Sequence, residues 1–144
     1  MIALNGVDFA NFITHPLMKP PGLNDGSNGI EFLKDSVDIN PRTGAVQFYG
    51  SYLGEKWQLT LQRGAEPQRA LVSVQPVQPA EGLEEVAQQL TATVSNFFND
   101  MVFELDGTFL TFKDMMVTSK GAEPTLMLAL RIKVHKFPSP GMAF

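Results

Sequence analysis

The chain has 144 residues, 44% of them hydrophobic, which is typical of one folded domain and excludes general disorder. Eleven basic and fifteen acidic residues give a formal net charge of −4, which argues against a nucleic-acid partner because phosphate backbones attract clustered Lys and Arg. The absence of cysteine excludes disulfides, thiolate metal sites and a cysteine nucleophile.

The N-terminal region has no basic segment followed by a long apolar run, so no signal peptide is expected. Nowhere do apolar residues continue for the roughly 18 positions that a membrane-spanning helix needs. We therefore expect a cytoplasmic protein, with peripheral membrane association as a variant, that folds as a single domain over 1–144.

The first part of the chain predicts a short strand, a short helix and a loop. Residues 2–7 favour a strand, and Asp8 is a candidate N-cap for a helical segment over 9–15 that Pro16 ends. Proline, glycine, asparagine and aspartate dominate residues 19–29, which predicts an exposed loop.

Alternating apolar and polar residues predict an antiparallel meander between residues 33 and 76, with turns at 40–44, 53–55 and 64–67. The residues expected to face inward are Val37, Ile39, Val46, Phe48, Trp57, Leu59, Leu61, Ala70, Val72 and Val74.

One helix is predicted over 81–98, where apolar residues recur at steps of three and four. This stripe consists of Leu83, Val86, Leu90, Val94, Phe97 and Phe98. Three glutamates near its start suit the positive end of the helix dipole.

The last third predicts strands again. Asp106 and Gly107 suit a two-residue type I′ hairpin after a strand over 101–105, and the returning strand is expected to bulge at 113–114. A long strand over 125–136 carries an unbroken apolar face, and 137–144 form a C-terminal tail. The predicted fold is α+β: a curved antiparallel sheet of about six to eight strands packed against the 81–98 helix.

Catalytic signatures are weak. His15 and His135 are far apart and lack a second ligand at metal-binding spacing, and no phosphate-binding or nucleophile motif occurs. The hairpin turn explains Asp106 without catalysis. We therefore predict a protein that is not an enzyme and has no metal site and no cofactor.

The supply of eleven Phe and seven Met is open to two interpretations. These residues could fill an ordinary core, or they could line an apolar groove between the helix and the sheet. Met127 favours a groove, because it lies on the opposite strand face from Leu126 and Leu128. The candidate groove residues are Phe97, Phe98, Met101, Phe103, Phe109, Phe112 and Met127.

Several segments resemble the cyanobacterial branch of the LmeA-like phospholipid-binding family. The segments that carry this resemblance are FITHPL (12–17), VQFYG (46–50), WQLTL (57–61), FFNDMVFELDGT (97–108) and KFPSPG (136–141). The resemblance implies lipid binding through a long twisted sheet wrapped on a helix, and it implies no catalytic residue.

Two functions follow as hypotheses. The first is a domain that binds a lipid or another apolar small molecule, with membrane contact through the apolar loop 17–23 as a variant. The alternative is a protein–protein interaction or homo-oligomer assembly domain that uses a sheet edge and the tail 137–144.

Overall fold

The computed structural model describes residues 2–14, 30–65, 69–100, 102–105 and 108–133, with only the backbone described at 102–105, 120 and 133. These residues form nine strands, two α-helices and one turn of 3₁₀ helix (Lys34–Ser36), so the α+β class is confirmed. The α-helices are α1 (Gly6–Ile13) and α2 (Leu83–Asp100). The strands are β1 (Ile2–Leu4), β2 (Glu31–Phe32), β3 (Asp38–Asn40), β4 (Ala45–Tyr52), β5 (Glu55–Arg63), β6 (Ala70–Pro76), β7 (Val102–Leu105), β8 (Thr108–Lys120) and β9 (Glu123–Lys133).

The strands divide between two antiparallel sheets, where one curved sheet was expected. The terminal sheet has the strand order β1-β9-β8-β7. The meander sheet has the order β2-β4-β5-β6, and β3 joins β4 on the same edge as β2. The sheets are separate because α2 follows β6 in the chain and packs along it. The next strand, β7, therefore pairs with β8 and not with β6.

The meander sheet confirms the alternation read from the sequence. Trp57, Leu59 and Leu61 point inward from β5 and are buried. The β4–β5 connection has two residues, Leu53 and Gly54, both with positive φ (52° and 73°), as a right-twisted hairpin requires.

The Ser36 hydroxyl group replaces a backbone hydrogen-bond partner of β4 in the interval between the edge strands β2 and β3. The Ser36 Oγ donates to the Leu33 carbonyl at 2.6 Å and accepts the Tyr49 N–H of β4 at 2.9 Å. It therefore supplies the partner that β4 loses where the edge strand turns away.

The N-cap of α1 differs from the prediction. The Asn5 Oδ1 accepts the Asp8 N–H at 2.8 Å, so the helix begins at Gly6 and Asp8 lies within its first turn. Both Asn5 and Asp8 are residue types that can cap a helix. Because β1 ends at Leu4, Asn5 is the first residue after the strand and takes the capping position.

Helix α2 begins and ends two residues later than predicted, and its apolar stripe is confirmed. Leu90, Val94, Phe97 and Phe98 are buried. Gly82, with φ of 89°, precedes the helix and marks its start.

The terminal sheet confirms the predicted bulge, because the β8–β9 register shifts between Phe112 and Asp114. The pairing of Leu105 with Thr108 is the register of a two-residue hairpin, although Asp106 and Gly107 lie outside the described residues.

The apolar face of β9 becomes exposed towards the C-terminal end of the strand. Leu126 and Leu128 are buried and Leu130 is half-buried, but Ile132 is 64% exposed. The predicted apolar face is therefore buried only over its first part. The predicted loop 19–29, the tail 137–144 and the strand residues 134–136 lie outside the described part of the chain.

One buried cluster contains residues from both sheets and both helices. Its largest members with almost no exposure are Trp57, Phe9, Phe48, Phe97, Ile13, Leu59, Met115 and Leu126.

The Asn99 side chain joins the end of α2 to the edge of the meander sheet. Its Oδ1 accepts the Ala70 N–H at 2.7 Å, and its Nδ2 donates to the Ala70 carbonyl at 3.1 Å. Because Ala70 is buried, we expect Asn99→Ala to lower the free energy of unfolding by about 1–3 kcal/mol. Urea denaturation measures this, with the exposed Asn96→Ala as the control expected to stay within about 0.5 kcal/mol of wild type. Equal effects of the two variants would contradict this role of Asn99.

Gly50 is required by a close approach within the meander sheet. A Cβ at this position would lie 2.9 Å from both Ile30 Cδ1 and Ile30 Cγ1. We expect Gly50→Ala to destabilise the protein by about 1–3 kcal/mol in thermal or urea unfolding, because Ile30 is buried and has little room to move. Gly6→Ala is the control, since its nearest neighbour would be 3.6 Å away. Wild-type stability of Gly50→Ala would contradict the close packing.

Candidate functional site

The predicted groove residues do not share one surface. Phe97 and Phe98 are 1% and 3% exposed, respectively. Their ring centroids are 4.8 Å apart and nearly perpendicular, and Phe32 and Phe9 pack against them. Phe48 completes this phenylalanine cluster, with its ring 5.4 Å from Phe9 and 5.6 Å from Phe32. Phe97 and Phe98 thus pack against other side chains of the protein instead of lining an open surface.

The other predicted residues lie on both faces of the terminal sheet. Phe112 is buried on the core face, opposite Leu130. Met127 points to the outer face, as the alternation against Leu126 and Leu128 requires, and Phe109 is half-buried. Met101 and the side chain of Phe103 lie outside the described residues. The terminal sheet therefore separates Met127 from Phe97, Phe98 and Phe112.

Met127 lines a depression of about 280 Å³, which we call the methionine depression. Its lining residues are Arg63, Lys113, Asp114, Met115, Met116, Met127 and Ala129. The walls are largely apolar, and the charged side chains come from only three residues.

The strand register explains this depression. Met116 of β8 lies directly opposite Met127 of β9, and Asp114 lies opposite Ala129. Opposed residues of an antiparallel pair share one face, so the two methionines form a wall beside the small side chain of Ala129. The bulge at Lys113 adds a residue to β8 next to Ala129 and redirects the strand there.

An ion pair connects the two sheets at this point. From the end of β5, the Arg63 Nε and Nη2 donate to the Asp114 Oδ1 and Oδ2 at 3.1 and 2.8 Å. The Met115 N–H also donates to the Asp114 Oδ1, at 2.8 Å. The Asp114 carboxylate is therefore compensated, although a pair this exposed contributes only about 0–1 kcal/mol to stability.

The local charge of the methionine depression is positive. Arg63 and Lys113 carry two positive charges against the single negative charge of Asp114. Within the described residues, Lys113 forms no ion pair or hydrogen bond. This local charge is opposite in sign to the net charge of −4 of the whole chain.

A second depression, of about 420 Å³, lies beside the start of α1. Its lining residues are Asn5, Gly6, Val7, Lys34, Asp35, Val37, Asp38, Ile39, Glu123 and Pro124. Its charged groups do not form a metal site, because the described residues contain no cluster of three or more His, Cys, Asp or Glu side chains suited to an ion. Neither of these two depressions is lined by a residue of α2.

No helix in the described part of the chain has the length and apolar character needed to span a membrane. Comparison with models of known protein families, with curated proteins and with solved structures found no match. The resemblance to the LmeA-like family therefore stays a prediction.

Sequence reasoning found Met127 and missed its neighbours. Met116 carried a usable signal, because it follows the core residue Met115 and so had to point outward. Arg63 carried none, since it is 51 residues from Asp114 along the chain.

Phe98 should act as a core residue. We expect Phe98→Ala to lower the free energy of unfolding by about 3–5 kcal/mol, because it removes a ring from a closely packed cluster. Met116→Ala, on the outer face, should cost less than about 1 kcal/mol. Urea denaturation of both variants distinguishes the two environments, and a small effect of Phe98→Ala would show that its surroundings are loosely packed.

Proposed function

We propose that the protein is a non-enzymatic binding domain for a lipid or another apolar small molecule, and that the methionine depression receives the apolar part of that ligand. The observation that carries this proposal is the pair Met116 and Met127 on the outer face of the terminal sheet. Met116 is 51% exposed there, although the core face of the same strands is filled.

Methionine suits such a role because its flexible thioether adapts to apolar ligands of different shape. The volume of about 280 Å³ is just below the roughly 300–1,000 Å³ of pockets that hold drug-sized ligands. The site therefore suits a short apolar chain, or one part of a larger lipid whose remainder stays outside.

The outer face is a better location than the interior between α2 and the sheets. A ligand beside Phe97 and Phe98 would have to displace rings that contact each other, whereas the methionine depression is open. We propose that binding takes place in the cytoplasm or at a membrane surface that supplies the ligand; the loop 17–23 lies outside the described residues.

The alternative function, assembly through a sheet edge, has less support at β6. Because Ala70 turns its backbone groups towards Asn99, alternation directs those of residues 72, 74 and 76 away from β5 as well. Asn99 occupies the groups of Ala70, and Pro76 has no N–H. Only Val72 and Val74 then have both backbone groups free to pair with a strand of another chain. Two residues would give only a short hydrogen-bond ladder.

Decanol, a neutral single-chain alcohol, tests the proposed site by isothermal titration calorimetry. We expect wild type to bind decanol and Ala129→Leu to bind it at least about tenfold more weakly, because the larger side chain fills the depression. Met116→Gln should weaken binding in the same direction, since an amide replaces the thioether.

Leu71→Gln is the matched control for this experiment. Leu71 is also an exposed apolar strand residue, but it lies on β6 and does not line the methionine depression. The affinity of the Leu71→Gln protein for decanol should equal that of wild type. Undiminished binding by a stable Ala129→Leu protein would exclude the site, and no binding by wild type would exclude the function.

A further inference from the structure

We infer that the ligand is a single-chain amphiphile with a carboxylate head, and that Lys113 binds this head while the chain lies along Met116 and Met127. This inference rests on the proposed function and deepens it. It follows from the order of the side chains along two paired strands and from their charges.

The polar and apolar groups of the methionine depression lie at opposite ends. Lys113, Asp114 and the facing Ala129 form one end, and the facing pair Met116 and Met127 forms the other. Met116 follows Lys113 by three residue steps along β8, which is at most about 10 Å. A ligand that lies along the strands would therefore meet a charged group at one end and thioethers at the other.

The charged end favours an anion. Both oxygens of the Asp114 carboxylate already accept hydrogen bonds from Arg63, and one also accepts the Met115 N–H. Asp114 is therefore not an unpaired negative charge that would repel an anionic head. Lys113, exposed on the bulge, has no hydrogen-bond or ion-pair partner in the described part of the chain and is accessible to a ligand.

The size and charge of the depression favour a single-chain ligand. A volume of about 280 Å³ accommodates one short apolar chain, and Lys113 offers one ammonium group for one compact head. A carboxylate is a compact acceptor that a single ammonium group can bind without further donors.

A comparison of decanoate with decanol tests the inference, because the two compounds share one chain and differ in the head group. We expect wild type to bind decanoate about two- to fivefold more tightly than decanol, which is the effect of one partly exposed ion pair. Lys113→Gln should abolish this preference and leave the affinity for decanol unchanged. Added salt should weaken the binding of decanoate and leave that of decanol unaffected.

Lys34→Gln is the control for charge, because it removes one positive charge from an exposed residue that lines the other depression. It should keep the preference for decanoate. Acetate, which has the same head without the chain, should show no measurable binding.

The outcomes separate the two proposals. Equal affinity of wild type for decanoate and decanol would overturn the assignment of Lys113 and leave the apolar site in place. A preference for decanoate that persists in Lys113→Gln would also overturn it. Binding of neither compound would contradict the proposed function, and the inference would fail with it.

Discussion

The phenylalanine cluster is the constraint on which the rest of the structure depends. Rings from α1, β2, β4 and α2 meet between the helices and the meander sheet, at centroid distances of 4.8 to 6.3 Å. All but one of these pairs are edge-to-face, a geometry that contributes to stability beyond the burial of apolar area, and the Phe9–Phe98 pair is stacked. Phe97 and Phe98 therefore belong to the core, whereas Met116 on the outer face of the terminal sheet is half-exposed and can contact a ligand.

The two faces of the β8–β9 hairpin consequently have different roles. Phe112, Met115, Leu126 and Leu128 point to the core and are buried. The register places Met116 and Met127 together on the other side, and the bulge at Lys113 puts a charged residue beside them. The bidentate pair of Arg63 with Asp114 then connects this surface to the meander sheet. A single register shift of one residue would exchange the two faces, so the pairing of β8 with β9 specifies the core and the candidate site at the same time.

Much of the fold could be predicted from the sequence, because its signals are local. The alternation around Trp57, the apolar stripe of α2 and the bulge at Lys113 each depend on residues close together in the chain. The N-cap of α1 was misassigned since Asn5 and Asp8 are both good caps and only the end of β1 distinguishes them. The division into two sheets depends on where α2 packs, which no local pattern states.

The candidate site was predicted only in part for the same reason. Met127 could be recognised because its position on β9 opposes that of two core leucines. The other walls depend on register and on tertiary contact, and the aromatic residues proposed as groove walls include a pair, Phe97 and Phe98, that instead pack within the core. The most direct test of a ligand site on the outer face is carbon-13 NMR of both the methionine methyl groups and the phenylalanine rings during titration with decanol. We predict that the signals of Met116 and Met127 shift while the ring signals of Phe97 and Phe98 stay constant. Shifts of those ring signals without a change at Met116 would place the ligand in the interior and contradict this account.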